Sequence, residues 1–168
     1  MNIVLTAATA IVAGLRKLVA GLVVLFFGYM IVAVLVQIAG RYLFEFAIDW
    51  TAETATFAQI WMVLLAGGLA MRDNLHVSVD ALTSLLPTFA LRGLIIVVTL
   101  PCLWFLLQAI AGSLALIDIG RIQSSPVLRL PMWIPYLSLP VGLGYFGLEF
   151  LLAMVARWQD PKAGRSTT

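Results

Sequence analysis

The chain has 168 residues, of which 62% are hydrophobic and only 11% charged, with a mean hydropathy of +1.06. A soluble domain carries ~25% charged residues, so this chain cannot cover its own surface in water, and its natural solvent is lipid. The formal net charge of +2 comes from singly scattered basic residues, and Cys102 is the only cysteine; the first excludes the clustered basic face that nucleic acid requires, the second an intrachain disulfide or a cysteine metal pair.

The chain opens with the uncharged stretch Asn2–Leu15, followed by Arg16 and Lys17. A secretory leader begins with positive charge, so Met1 is expected to stay on the mature protein. Val4, Ala8, Ile11, Leu15 and Leu18 share one helical stripe, which predicts an amphipathic helix lying in the membrane plane over about residues 3–16. Four apolar runs follow: Leu18–Ala39, Thr54–Met71, Gly93–Ile117 and Leu130–Leu148, the last resuming after Glu149 as far as Ala156. Each fits the ~20 residues that cross a bilayer at ~1.5 Å per residue. They predict a single all-α membrane domain with four transmembrane helices, over about 18–39, 50–71, 93–117 and 131–156. The second run is the shortest and extends back to Trp50. Pro101 is expected to kink the third helix rather than end it. Between spans two and three, Leu75, Val79, Leu82 and Leu86 form a stripe opposite His76, Asp80 and Thr83, closed by Pro87. This predicts a second in-plane helix over about 76–87. For both in-plane segments an ordinary connecting loop is the alternative.

Orientation follows from the basic residues. Arg16, Lys17, Arg72, Arg92, Arg157, Lys162 and Arg165 fall on one side of such a bundle, and Arg41, Arg121 and Arg129 on the other. The excess of Lys and Arg marks the cytoplasmic side, so both termini are expected there.

Chemistry-bearing residues are few. His76 is the only histidine, and a four-helix subunit holding haem usually supplies two axial side chains. His76 lies outside the spans, and its spacing to Asp80 suits a hydrogen bond on a helix surface. Glu149 is an acid inside an otherwise apolar span. It is either a proton or ion site, or a carboxylate of the inner leaflet that snorkels or pairs with a cation, with Arg157 two turns on. A charge at mid-bilayer costs roughly 2.5–3.5 kcal/mol on insertion scales, so it needs a partner or a proton. Arg41, Glu45, Asp49 and Glu53 recur at helical spacing after span one. If the first helix continues past the membrane, Arg41 and Glu45 share a face. The acids form either a solvated helix end or a lip that a soluble partner could touch. Tyr42, Trp50, Trp133 and Tyr136 flank the outer span ends and Trp158 the inner, as in an interfacial belt. Trp61 lies deep in span two and is either lipid-facing or a packing anchor against another subunit. No residue set suggests catalysis or a bound cofactor or metal.

The motifs can be set in order. Gly40-Arg41-Tyr42-Leu43-Phe44 follows span one, then Trp50-x-x-Glu53, then Trp61. Span two ends in Gly68-Leu69-Ala70-Met71-Arg72, followed by His76-Val77-Ser78-Val79-Asp80 and Leu86-Pro87. Later come Ser125-Pro126-x-Leu128, Leu130-Pro131-Met132-Trp133-Ile134-Pro135-Tyr136 and Leu139-Pro140-Val141-Gly142. Over roughly residues 18 to 155 this series resembles the DctQ-type small membrane subunit of tripartite ATP-independent periplasmic (TRAP) transporters. The sequence departs from the pattern at Ala52 and Thr56, where the family often has an acid and an arginine.

The resemblance implies a non-enzymatic subunit without a cofactor. It would brace a large multi-span partner that carries the substrate and sodium sites, while a periplasmic binding protein delivers an organic acid. It marks Arg41, Trp50, Glu53, Trp61, Arg72, His76, Asp80, Pro126, Pro131, Trp133, Tyr136 and Pro140 as motif positions for structure or subunit contact. The small residues Ala66, Gly67, Gly68 and Ala70 would let a neighbouring helix approach closely. Two other readings stand beside it: a membrane anchor of a respiratory complex, and a self-contained proton-coupled exporter using Glu149.

Overall fold

The structure is a computed structural model that describes residues 2–46, 48–72 and 88–159. Its elements are α1 (Asn2–Leu43), α2 (Asp49–Arg72), α3 (Thr88–Gly120), the single turn α4 (Trp133–Tyr136) and α5 (Ser138–Gln159). The described residues contain no strand, only an isolated antiparallel bridge between Ser124 and Pro131. Four helices are long and apolar enough to cross a membrane, with α4 and α5 together making the fourth, Trp133–Gln159. The protein is therefore an all-α, multi-pass membrane protein.

α1 corrects one expectation. Residues 2–43 are one uninterrupted helix, so the segment at 3–16 is not a separate in-plane element. No proline lies between Asn2 and Leu43, and a lone glycine such as Gly14 does not break the hydrogen-bond ladder. The 42 residues of this helix reach ~63 Å at ~1.5 Å each, about twice the ~30 Å hydrocarbon core. The in-plane helix expected at 76–87 lies outside the described residues.

α3 runs through Pro101 without ending, as expected. The break at Leu137 has a local cause. Pro140 has no N–H to give the Tyr136 carbonyl, and its ring crowds that carbonyl. Leu137 N–H still reaches the Trp133 carbonyl at 2.9 Å, and the Ser138 hydroxyl donates to the Pro135 carbonyl at 2.5 Å, so the chain direction is kept through the interruption.

The packing order differs from the chain order. α2 packs on α1 along one side and on α5 along the other, and α5 in turn packs on α3. The last helix thus sits between the second and third, while α1 and α3 form the outer edges of an open row. Along these edges large apolar side chains such as Val24, Leu25, Val97 and Trp104 are exposed. A buried cluster of Val19, Leu65 and Tyr145 ties α1, α2 and α5 together, with Leu22, Val23, Phe26, Trp61 and Leu69 around it. In lipid, apolar burial itself offers little drive. Close packing and interhelical polar bonds decide the arrangement.

Two glycines permit that closeness. A Cβ at Gly142 would lie 2.5 Å from the Leu64 Cβ, and one at Gly68 would lie 2.6 Å from Cε1 of Tyr145. The backbones of α2 and α5 therefore cross in contact, each helix giving up a side chain where the other passes. Gly68 serves a helix of its own chain here.

Candidate functional site

The embedded acid is the centre of the site. Glu149 is 1% exposed. Its two carboxylate oxygens accept from the Arg16 guanidinium, Nε to Oε1 at 2.8 Å and Nη2 to Oε2 at 2.6 Å. This fork-to-fork geometry is the strongest form of side-chain ion pair. The sequence left its cation unnamed, and the structure supplies one from α1, 133 residues earlier in the chain. Sequence distance hid it, because Arg16 read only as a topology marker. Glu149 lies ~24 Å along the helix from Trp133. With Trp133 at one interface, the carboxylate falls inside the ~30 Å core, toward the opposite face. The Arg16 side chain keeps 29% exposure, so it spans from the buried acid toward the interface. One face of α5 carries Gly142, Tyr145 and Glu149 at helical spacing, and all three are buried.

At the other end of the bundle a second acid is also spent inside the chain. Glu53, in the second turn of α2, accepts the backbone N–H groups of Val127 and Leu128 on one oxygen, at 3.1 and 3.0 Å. Those residues form the tip of a hairpin. Ser125 N–H donates to the Leu130 carbonyl at 2.8 Å, Met132 N–H to the Gln123 carbonyl at 3.0 Å, and Leu130 N–H to the Ser125 hydroxyl at 3.1 Å. Arg129 closes the turn in the left-handed region, with φ of 53°. The motif pieces Trp50-x-x-Glu53 and Ser125-Pro126-x-Leu128 thus form one contact. The reading of Glu53 as part of a solvated lip missed this hairpin, whose turn carries no Gly or Asn signal.

The remaining motif residues distribute as follows. Pro126 is exposed at the hairpin turn and Pro131 is half-buried opposite Ser124. Trp133 opens α4 beside Gly120, where a Cβ would lie 2.8 Å from the Trp133 nitrogen. The Tyr136 hydroxyl faces Gln123 Oε1 at 3.4 Å. Pro140 begins α5, as described above. Arg41 is exposed, and α1 ends at Leu43 while Glu45 takes a φ of 51°. Arg41 and Glu45 therefore do not share a helix face, because the chain has already turned. Trp50 is half-exposed, and its carbonyl accepts from Thr54 at 3.0 Å. Thr56, at the position where an arginine was expected, donates to the Ala52 carbonyl at 2.9 Å. Trp61 stacks on Phe26 of α1, with centroids 6.2 Å apart and planes at 26°; it anchors a helix of its own chain. Ala66, Gly67 and Ala70 line an open apolar groove of about 490 Å³ between α1 and α2, with Val23, Phe27 and Met62. Arg72 ends α2, and its side chain, like His76 and Asp80 entirely, lies outside the described residues. At the Arg157 end of α5, the Arg92 guanidinium sits 5.6 Å over the Trp158 ring, pinning the start of α3 to the end of α5. Among the described residues no group of His, Cys, Asp and Glu could hold a metal ion.

Four helices long enough to span, an ion pair that joins the first to the last and a hairpin held by a carboxylate define a multi-pass helical membrane protein. Residues 30–160 match the family described as the DctQ component of tripartite ATP-independent periplasmic transporters, and the chain belongs to that family. The small permease protein DctQ of a C4-dicarboxylate TRAP transporter from Vibrio cholerae is 26% identical over 154 residues, covering 77% of this chain and 66% of that protein. The isethionate TRAP transporter permease protein DctMQ of Oleidesulfovibrio alaskensis is 34% identical over 138 residues, covering 80% of this chain but 22% of that protein. The ectoine TRAP transporter small permease protein TeaB of Halomonas elongata is 28% identical over 123 residues, covering 71% of this chain and 63% of that protein.

Proposed function

We propose that this chain braces a large membrane transport subunit during sodium-coupled uptake of a small organic acid, which a periplasmic binding protein delivers. The observation that carries the reading is the burial of Glu149 in an ion pair with Arg16. An acid that moves protons or ions must meet a pathway, whereas this one is buried and forked onto Arg16. That favours a fixed support over a carrier and speaks against the exporter reading. The match to DctMQ over 22% of its length is in keeping with a small subunit working beside a larger membrane part. The relatives are named for C4-dicarboxylates, isethionate and ectoine, all small charged organic solutes. The exposed apolar edges of α1 and α3 offer membrane-depth surface for lipid and for the large subunit.

In this proposal both termini face the cytoplasm of a bacterial inner membrane, and Arg72, His76 and Asp80 lie on that side. Glu45→Cys should then react with a membrane-impermeant thiol reagent added outside spheroplasts, and labelling only after lysis would reverse the topology. The assembly test is co-purification. Co-expressed with the large subunit from its own gene neighbourhood, the chain should elute with it from detergent, and separate elution would sink the bracing role. Arg72→Ala or Asp80→Ala should lower assembly or uptake while leaving the solute affinity of the binding protein unchanged.

A further inference from the structure

α5 is last in the chain yet central in the packing. It joins two parts that have no substantial contact with each other, the α1–α2 hairpin and α3. Against the hairpin, α5 rests on the close crossing where Gly142 meets Leu64 and Gly68 meets Tyr145. Small residues let the two backbones approach closely there, and closeness alone does not fix the angle at which they cross. Two turns further along the same face, Glu149 reaches past α2 to grip Arg16 of α1. Backbone packing between α1 and α5 is slight, so the connection there is made by side chains.

We infer that the Arg16–Glu149 pair is a latch that stops α5 from pivoting about the glycine crossing, and so fixes the angle between the α1–α2 hairpin and α3. The pair is suited to this. A bidentate fork is directional and holds an angle as well as a distance, and the Glu149 end of it is buried. The crossing supplies closeness and the latch supplies orientation. At its Arg92 end α3 is held by α5, through Arg92 over Trp158 and Leu106 near Gly147, while the hairpin after its other end is held to α2 by Glu53, so an unlatched α5 would swing the Arg92 end of α3.

The test is a distance measurement between spin labels on the purified full chain in lipid nanodiscs, in a Cys102→Ala background. One label pair, at Val24→Cys and Val97→Cys, spans the two outer helices, where both residues are highly exposed. A control pair, at Leu43→Cys and Val63→Cys, stays within the α1–α2 hairpin. With the latch intact both pairs should give a single narrow distribution. Glu149→Gln, and independently Arg16→Met combined with Glu149→Met, should abolish the narrow peak between Val24 and Val97 while the control pair stays narrow. The apolar double variant leaves no stranded charge, so it keeps the test valid should Glu149→Gln fail to fold. A narrow outer distribution in the apolar double variant would overturn the latch. Equal broadening of both pairs would also overturn it, because the ion pair would then hold the fold as a whole rather than the angle of α5.

Discussion

Gly142 lies against Leu64 so closely that a Cβ at position 142 would stand 2.5 Å from the Leu64 Cβ and 3.2 Å from its carbonyl carbon. Leu64 has no room to yield at its backbone. Gly142→Ala should therefore push α5 away from α2, at a cost of ~1–3 kcal/mol for an overpacked core. Thermal unfolding in detergent should show a clear drop in Tm. Gly144→Ala, two residues on with open space around it, should hold or slightly raise Tm through helix propensity, and so separates crowding from propensity.

Breaking the ion pair from one side differs from removing it. Glu149→Gln takes the carboxylate away from a guanidinium whose side chain is 29% exposed. Breaking a fully buried pair costs ~3–5 kcal/mol, and the partial exposure of Arg16 should bring the loss below that range. Replacing both residues by Met leaves no charge to bury and should recover most of the stability. Equal losses for the single and double variants would contradict this, and a double-variant cycle followed by thermal unfolding measures it.

Glu53 holds the hairpin at residues 123–132 through two amide protons, so its removal should be visible at those protons. In Glu53→Ala, hydrogen exchange at the Val127 and Leu128 amides should quicken markedly. Exchange within α3 and α5 should stay slow, because their hydrogen bonds are internal to each helix. Protection unchanged at residues 127 and 128 would show that the hairpin holds without Glu53.

Trp61 and Phe26 join α2 to α1 at mid-depth. Trp61→Leu keeps an apolar filler but loses the stacked ring, a contact worth ~0.5–1.5 kcal/mol beyond its area. A modest fall in Tm is expected, smaller than that of Gly142→Ala, and a larger fall would mean that the cluster around Leu65 depends on the indole.

Much of this architecture is legible in the sequence, for clear physical reasons. A span is a local property of about 20 residues, so the uncharged runs bounded by Lys17 and Arg41, Glu53 and Arg72, Arg92 and Asp118, and Arg129 and Glu149 suffice to find four helices. The family too is legible, because its motifs recur in order. What sequence reasoning misses is pairing across the chain. Arg16 looks like a topology signal and Glu149 like an isolated acid, and only the packing order α1–α2–α5–α3 brings them together. Glu53 looks solvated until a hairpin with no glycine turn folds over it. Trp61 raises a choice between lipid and another subunit, whereas it stacks on Phe26 of its own chain; Gly68 allows the close helix approach expected of it, with Tyr145 of its own chain. The helix at 3–16 fails for the opposite reason: its stripe is real in sequence, but nothing there ends one helix and begins another.

The central claim is that this chain supports transport without conducting the solute. The most direct test is uptake of a radiolabelled organic acid into proteoliposomes under an inward sodium gradient, with the cognate binding protein outside. The large subunit reconstituted together with this chain should accumulate the solute, and this chain alone should give no flux under either a sodium or a proton gradient. Gradient-driven flux through this chain alone, abolished by Glu149→Gln, would contradict the account and make the embedded acid a transport site.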